Sequence, residues 1–505
     1  MTGREAGAVG CSVKRLSKIF FMGIVLSIQG MVGAAAEDEW RVTSQADLQF
    51  MHETIAIAHP GVLDKQDVTF QNWFRDGYEE ARLLLSQART KRQAEAALQY
   101  YAAGYEDGHP GVWRSHKEKT KKSDWAGWIM QKRGADFVVT ERSENWPAAV
   151  PFVGTKVISC DGVPVEDYIR KTIAPFTDRR DLDASWQRNA IKVTLDSSAE
   201  SPVWSETRAR ECLIELDNGR RRSFPLYWQP YDESKIQTER RYTRRYYSQE
   251  MHSLGDDIYW IQASDFQLNE ASNRLLEEML SHIRQLHHAK LVVLDTRGNN
   301  GGSSFVGYRI LKALLKHGMP EDNNNAHADF RVSDLAIDYF GKVLAEIPKS
   351  HGESRAEYIF VKEQRDGLVS ARKMGKEWFR QTEFNEAEIS EEGPAFGGRL
   401  VLLTDNGCGS ACLDFADMVF QVPGVMHMGL PTSGDTNYME VMPLRTPSGL
   451  NMWLPLKVWR NRPRGSNQFY APQYLFDGDI HDTPAVQEWV LKTIGGDESR
   501  STNGK

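Results

Sequence analysis

One serine stands in a glycine-containing turn between an apolar segment and an amphipathic one. Residues 399–404 are typical of a buried β-strand, and Ser410 and Ala411 follow the turn NGCG at the start of a predicted helix. A serine at such a junction presents its hydroxyl at the carboxyl end of the strand, and the next amide lies where the helix dipole favours negative charge. This arrangement suits a nucleophile beside an oxyanion donor. Capping of the helix by the Ser410 hydroxyl explains the turn equally well.

The sequence DTRGNNGGSS at residues 295–304 is a second glycine turn between a predicted strand and a predicted helix. Residues 291–295 form a continuous apolar run, and residues 305–315 have helical periodicity. The glycines Gly298, Gly301 and Gly302 allow backbone N–H groups to converge on an anion. Their order matches neither the dinucleotide fingerprint nor the P-loop, and no lysine is placed for a phosphate. We therefore favour an oxyanion-holding turn over a phosphate site or a purely structural turn.

Composition and the N-terminal residues restrict the class of protein. The 505 residues are 40% hydrophobic, which is enough for roughly two or three cored domains. Lys and Arg number 62 against 69 Asp and Glu, and the net charge of −7 argues against a dedicated nucleic-acid binder. Basic residues, an apolar stretch at 19–32 and an A-x-A site at 34–36 predict a signal peptide over residues 1–36. We expect an exported protein, periplasmic or extracellular, with no stable membrane insertion.

Four cysteines remain after the predicted cleavage: Cys160, Cys212, Cys408 and Cys412. An even number in an oxidising compartment permits disulfides without establishing any pairing. Cys408 and Cys412 have a spacing that could also serve a metal, but no second pair of ligands with zinc-like spacing lies nearby. We therefore expect neither a metal nor a cofactor.

Apolar periodicity divides the chain into regions. We predict an N-terminal helical region at 37–118, with an amphipathic run at 74–98, and a β-rich module at 119–231. The strands expected in that module are 137–140, 156–160, 191–195, 212–216 and 224–228. An α/β region follows at 240–494, with a polar, mostly helical insertion at about 318–396, and residues 495–505 form a polar tail.

Together the two glycine turns resemble those of the C-terminal-processing (tail-specific) serine peptidase family, which includes the tricorn core protease. The resemblance extends to YWI at 259–261 with Phe266, and to GLPT at 429–432. Residues 153–168, VGTKVISCDGVPVEDY, are similar to part of the family's PDZ-like module. The resemblance implies an α/β catalytic core with a ClpP/crotonase-like spiral fold, beside an N-terminal helical region and a small β-rich PDZ-like module.

The resemblance also implies roles for the two turns. Ser410 corresponds to the nucleophile, and the amides of Ala411, Gly301 and Gly302 correspond to the oxyanion donors. In the tail-specific branch a lysine in the stretch after GLPT is the base, but this chain has GLPTSGD, with Asp435 in that place. A carboxylate cannot act as a neutral-amine base, so a Ser–Lys mechanism is disfavoured.

The tricorn-like branch uses a histidine from the N-terminal region, and Asp107-Gly108-His109 matches its pattern. The ordinary pKa of histidine, ~6.5, suits a base near neutral pH; a surface turn is the alternative explanation of His109. Where the branch has a glutamate to orient the histidine, this chain has Gln468, and Asp435 and Glu440 are alternatives.

The sequence thus predicts a secreted serine endopeptidase that cleaves peptides or unfolded proteins through an acyl-enzyme. Ser410 is the expected nucleophile and His109 the expected base. The rival hypothesis is a catalytically inactive peptide- or ligand-binding protein on the same fold, because Asp435 and Gln468 depart from the family pattern.

Overall fold

The computed structural model describes residues 20–113, 124–196, 202–205, 207–230, 249–267, 270–319, 325–350, 355–382 and 393–502. Most of the predicted signal peptide, residues 1–19, lies outside these ranges, as do residues 240–248 at the start of the predicted α/β region. Within the described ranges, no helix combines the length and the apolarity needed to cross a membrane.

The N-terminal region is helical. Its elements are α1 (Phe20–Ala58), α2 (Val68–Ser86), α3 (Lys91–Ala103) and the short strand β1 (Val112–Trp113). The predicted run at 74–98 is divided between α2 and α3, because Thr90 starts a new helix by accepting the N–H of Gln93. Asp67 caps α2 in the same way by accepting the N–H of Phe70.

The second region combines short strands with two helices. Its elements are β2 (Asp124–Trp125), β3 (Trp128–Arg133), β4 (Asp136–Arg142), β5 (Lys156–Cys160), β6 (Val163–Pro164), α4 (Val165–Thr172), α5 (Asp183–Thr194), β7 (Leu195–Asp196), β8 (Glu211–Glu215), β9 (Arg221–Pro225) and β10 (Gln229–Pro230). The main sheet has the order β3-β4-β5-β8-β9 with β6 on β5, and β10-β2-β7 form a smaller sheet. A disulfide joins Cys160 to Cys212, which are paired in register on β5 and β8.

The predicted strand at 191–195 is wrong. Residues up to Thr194 belong to α5, and only Leu195 enters a strand. Trp186, Ala190 and Val193 are buried at helical spacing in the core of the module. A short apolar run with β-branched residues cannot be distinguished from a buried helix face by periodicity alone.

The α/β core begins after residue 249. Its elements are β11 (Met251–Gly255), β12 (Ile258–Gln262), α6 (Glu270–Ile283), β13 (Leu291–Asp295), α7 (Ser304–Leu315), β16 (Arg399–Thr404), α10 (Ala411–Val419), β17 (Met426–Gly429), β20 (Tyr474–Leu475) and α11 (Thr483–Thr502). The sheet has the order β11-β12-β13-β16-β17-β20 and is parallel from β12 onwards. Apolar side chains from α6, α7 and α10 form one core layer with the sheet, and those of α11 form another. Because β13 and β16 are adjacent and parallel, the two glycine turns lie side by side.

The insertion contributes β14 (His327–Arg331), α8 (Asp334–Ser350), α9 (Arg355–Lys373) and β15 (Trp378–Arg380), and the hairpin of β18 (Tyr438–Arg445) and β19 (Asn451–Arg460) follows later. A second sheet has the order β1-β19-β14-β15, with β18 also on β19. Its core contains Phe330 and Phe340 of the insertion together with Leu48 and Leu98 of the N-terminal helices. The helical region and the insertion therefore share one core, and that core carries the loop that contains His109.

Candidate active site

Ser410 occupies the junction between β16 and α10 in a backbone conformation that is unfavourable for a residue with a side chain. Its φ is 54° and its ψ is −127°. Such conformations cost on the order of 1–3 kcal/mol and are concentrated at functional sites. Although Ser410 is the N-cap residue of α10, its side chain makes no capping hydrogen bond among the described residues. The geometry therefore gives no support to the capping explanation of this serine.

A disulfide closes the turn around the serine. Cys408 and Cys412 are bonded to each other, and both are completely buried. The ring that they form encloses Ser410. The carbonyl of Cys408 also accepts the N–H of Ser433, which ties this ring to the loop after β17.

Asp405 joins the two glycine turns. Its Oδ2 accepts the N–H of Gly298 at 2.8 Å, and its Oδ1 accepts the N–H of Gly407 at 2.9 Å. The carboxyl group is buried, and this burial raises its pKa above the ordinary value. One side chain thereby fixes the first turn relative to the second.

Gly301 lies directly against the serine. A Cβ on this residue would come within 2.6 Å of the Ser410 Cβ and 2.9 Å of the Ala411 nitrogen, and its φ is 96°. Its amide donates to Asn299 Oδ1 at 2.8 Å. In this structure the amide therefore already has a partner, and the prediction that it is an oxyanion donor gains no support. Gly301 instead provides the space that the Ser410 turn occupies.

Two other predicted oxyanion donors remain. Gly302 has a φ of 137° and pairs with the backbone of Phe266 in an isolated β-bridge. In this bridge the Phe266 carbonyl accepts the N–H of Ser303, not that of Gly302. No hydrogen bond to a described acceptor involves the amide of Gly302 or that of Ala411, which opens α10. Unbonded amides at the start of a helix are the usual donors to an anion.

His109 is buried in the loop between α3 and β1. Its Nδ1 lies 2.8 Å from Asp107 Oδ1, which also accepts the His109 backbone N–H at 2.9 Å. Because a carboxylate only accepts, this contact assigns the ring proton to Nδ1 and leaves Nε2 as the acceptor. The second oxygen, Asp107 Oδ2, accepts the hydroxyl of Thr436 at 2.7 Å. Asp107 therefore orients the histidine.

The structure gives Gln468 a partner other than His109. Its Oε1 accepts the N–H of Gly465 at 2.8 Å, and the side chain is exposed. The neighbouring Asn467 faces the histidine loop instead, since its Nδ2 donates to the Glu106 carbonyl at 2.8 Å. Glu440 is also engaged elsewhere, with Tyr339 at 3.3 Å and Lys457 at 3.5 Å. Neither Gln468 nor Glu440 is hydrogen bonded to His109.

Asp435, the third alternative, lies between the two halves of the site. Its Oδ2 accepts the backbone N–H of Ser410 at 2.6 Å. Burial and the positive charge of Arg180 lower the pKa of His109. The charge and hydrogen bond of Asp107, together with the charge of Asp435, raise it by more. The pKa of His109 therefore stands above its ordinary value. Burial alone would likewise raise the pKa of Asp107, and the contacts with His109 and Thr436 lower it.

The β-rich module also contacts the site. Arg180 is buried, and its Nη1 donates to the Gly434 carbonyl at 2.6 Å. Asp178 holds the same guanidinium at 2.8 Å. Replacing a hydrogen of Gly108 by a Cβ would place that atom 3.1 Å from Arg180 Nη2. The module therefore packs against the loops of Asp435 and His109.

Sequence reasoning missed the role of Asp107, although it identified the motif that contains it. An aspartate two residues before a histidine can accept that residue's backbone N–H and so reach its ring. That local signal was present in Asp107-Gly108-His109. The contacts of Thr436 and Asp435 have no comparable signal, because they join residues far apart in the chain.

Comparisons with known proteins agree with this architecture. Residues 257–470 match the model of Peptidase family S41, a range that includes Ser410 but not His109. No curated protein is significantly similar to the chain in sequence. The structure of mature CPAF has a TM-score of 0.62 at 12% identity, covering 86% of this chain and 93% of that one. The structure of CPAF complexed with lactacystin has a TM-score of 0.62 at 12% identity, covering 86% of this chain and 94% of that one. A serine-to-alanine variant of CPAF has a TM-score of 0.59 at 10% identity, covering 86% of this chain and 93% of that one. At these identities the likeness shows the fold.

Proposed function

Because the chain carries a domain of peptidase family S41 over residues 257–470, we propose that the protein is a serine endopeptidase with Ser410 as its nucleophile and His109 as its base. The observation that carries this proposal is the strained backbone of Ser410, whose hydroxyl makes no capping hydrogen bond among the described residues. The next amide, that of Ala411, opens α10 and donates to no described acceptor. Such a serine is held ready for attack at the carboxyl end of a buried strand.

In the proposed reaction the Ser410 hydroxyl attacks the scissile carbonyl while His109 Nε2 takes its proton. Asp107 stabilises the resulting imidazolium, and the amides of Ala411 and Gly302 bind the oxyanion. Removal of one such donor typically costs ~3 kcal/mol of transition-state stabilisation. His109 then protonates the leaving amine, and water hydrolyses the acyl-enzyme. Ser410 and His109 are not hydrogen bonded to each other in the described structure, and catalytic hydrogen bonds often tighten only when substrate binds.

The same proposal covers substrate and compartment. We take the substrate to be a peptide or an unfolded protein. The β-rich module would act as a PDZ-like unit that receives an extended chain at a sheet edge, and the catalytic core would have the ClpP/crotonase-like spiral. Export to the periplasm or beyond is supported by the disulfides Cys160–Cys212 and Cys408–Cys412, because such bonds persist in oxidising compartments.

Labelling with a fluorophosphonate probe tests the proposal. The folded protein should be labelled, and Ser410→Ala and His109→Gln should not be. Ser433→Ala is the matched control, since this serine lies in the facing loop and contacts the same turn through its backbone. Hydrolysis of an unfolded protein substrate should follow the labelling. Lactacystin, which is bound to CPAF in one of the similar structures, provides a second probe.

Absence of labelling in a folded preparation, together with absence of hydrolysis, would overturn the proposal. That result would favour a catalytically inactive peptide-binding protein on the same fold. Labelling that survives in Ser410→Ala would show that the nucleophile is another residue.

A further inference from the structure

We propose that the dipeptide Asp435-Thr436 is a positioning element that aligns the Ser410 turn with the Asp107–His109 pair. The inference rests on the proposed function, since it assigns roles within the same site. Asp435 Oδ2 accepts the Ser410 amide at 2.6 Å, and the Thr436 hydroxyl donates to Asp107 Oδ2 at 2.7 Å. Two adjacent side chains therefore bind the two halves of the site.

The Ser410 turn is bound by an acceptor from a distant segment of the chain. A residue with φ of 54° and ψ of −127° persists only where surrounding contacts over-determine it. The carboxylate of Asp435 is buried and makes a charge-assisted hydrogen bond to the amide of this residue. Hydrogen bonds to charged groups are among the stronger ones in proteins. Asp435 thus compensates for part of the strain that presents the Ser410 hydroxyl.

The histidine requires a fixed carboxylate. Asp107 determines which ring nitrogen of His109 carries the proton and how the ring is oriented. Thr436 occupies the other oxygen of Asp107, so that this carboxylate cannot rotate freely away from the ring. Thr436 and Asp107 are separated by 329 residues in the chain. The contact therefore docks the helical region onto the α/β core at the point where the base must be placed.

The loop that carries the dipeptide is itself held on several sides. The N–H of Asn467 donates to the Asp435 carbonyl at 2.6 Å, and Arg462 Nη2 donates to the Thr436 carbonyl at 2.7 Å. Arg180 binds the Gly434 carbonyl. With these contacts on both of its carbonyls and on the preceding residue, the dipeptide can act as a rigid template.

Charges around His109 provide a readout that a purely structural role would not change. The groups that face it are Asp107 from its own loop, Asp435, Arg180 from the β-rich module, and His59 at the end of α1. Burial lowers the pKa of His59 to about 3, so this ring is neutral near pH 7. Besides Asp107, the negative charge that stabilises protonated His109 is that of Asp435.

The first experiment measures the pKa of His109 by NMR in the full chain with labelled histidine, using His109→Gln to assign the signal. Asp435→Asn retains an oxygen that can accept the Ser410 amide but removes the charge, so the pKa of His109 should fall. Asp414→Asn is the control, because Asp414 lies on α10, accepts the hydroxyl of Ser304 at 2.7 Å and is not among the groups that shift the pKa of His109. An unchanged pKa in Asp435→Asn, or an equal fall in both variants, would overturn the role of Asp435.

The second experiment measures the rate of fluorophosphonate labelling. Thr436→Val removes the hydroxyl with little change in shape and should slow labelling by about tenfold or more, since a buried carboxylate loses a donor. Thr436→Ser keeps the hydroxyl and should restore most of the rate. Equal rates in the valine and serine variants would overturn the role of Thr436.

The two experiments separate this inference from the proposed function. If the unmodified protein is never labelled, the proposed function fails, but the NMR titration still decides whether Asp435 faces His109, because it requires no turnover. If labelling is normal and neither the pKa nor the rate responds to these substitutions, the proposed function stands and the positioning role is refuted.

Discussion

The two halves of the candidate site are built in different ways. Ser410 and Gly301 lie in turns that follow adjacent parallel strands, β16 and β13, so their proximity follows from the topology of one sheet. His109 lies in a loop of the helical region, and its position depends on the core that the region shares with β18 and β19 and on the contact of Asp107 with Thr436. The half with the proposed nucleophile (the nucleophile half) is therefore determined by short connections within one sheet. The half with the proposed base (the base half) is determined by docking.

The largest expected effect on labelling comes from a substitution that displaces the turn of Ser410. Gly301→Ala should abolish labelling of Ser410, because the added Cβ would come within 2.6 Å of the Ser410 Cβ and meets the backbone of Gly409 and Ala411. The Ser410 turn has to shift, and the labelling rate measures that shift. Gly134→Ala is the matched control, since Gly134 also has a positive φ, 58°, but a Cβ there meets nothing within 4 Å. Normal labelling in Gly301→Ala would show that the two turns are not packed as described.

The next largest effect is expected from a substitution that removes the charge beside His109 and leaves the helical region folded. Asp107→Asn should reduce kcat by as much as ~10⁴-fold, the loss seen when an amide replaces the orienting carboxylate of a catalytic histidine. Asp47→Asn is the control for docking, because buried Asp47 also joins the helical region to the β18–β19 hairpin, through Ser448 at 2.9 Å. Asp47→Asn should lower the melting temperature without lowering kcat. Equal losses of kcat in both variants would mean that docking, and not Asp107, sets the rate.

These two variants indicate which parts of the site the sequence could predict. The strand, turn and helix around Ser410 were predicted because apolar runs and glycines determine that structure locally. The motif containing His109 was found by resemblance, but Gln468 was chosen as its partner from its place in the chain. Asn467 lies in a turn with a φ of 54°, and its side chain, not that of Gln468, faces the histidine loop. The contacts of Asp435 and Thr436 depend on how distant segments pack, which no local pattern records.

The pH dependence of kcat/KM reports on the proposed base, His109, separately from Ser410. His109 has to be neutral to accept a proton, and its folded-state pKa is raised, so kcat/KM should rise with pH through a midpoint above ~6.5. The stabilisation from the protonated ring is complete below the unfolded pKa and is lost as pH rises through the folded pKa. A pH profile of kcat/KM beside one of the melting temperature checks both signs. A midpoint below the ordinary value would contradict the pairing with Asp107.

A smaller effect is expected from the disulfide around the nucleophile. Cys408→Ser combined with Cys412→Ser should lower stability by ~2 kcal/mol and slow labelling several-fold, because the ring that encloses Ser410 is opened. The control pair is Cys160→Ser with Cys212→Ser in the β-rich module, which should lower stability without changing the labelling rate at saturating probe. Identical labelling rates for the two pairs would mean that the ring does not hold the serine.

The smallest expected effect concerns Gln468. Gln468→Ala should leave kcat unchanged, because the side chain is exposed and its oxygen binds only the nearby amide of Gly465 among the described residues. Asn467→Ala should lower kcat, because Asn467 joins the Asp435 loop to the Glu106 carbonyl just before the histidine. Measuring both variants on the same peptide substrate compares two adjacent residues that differ in the direction of their side chains. If Gln468→Ala lowered kcat more than Asn467→Ala did, the base half would have to be oriented from the other side, and Asp107 would lose the role that its geometry gives it.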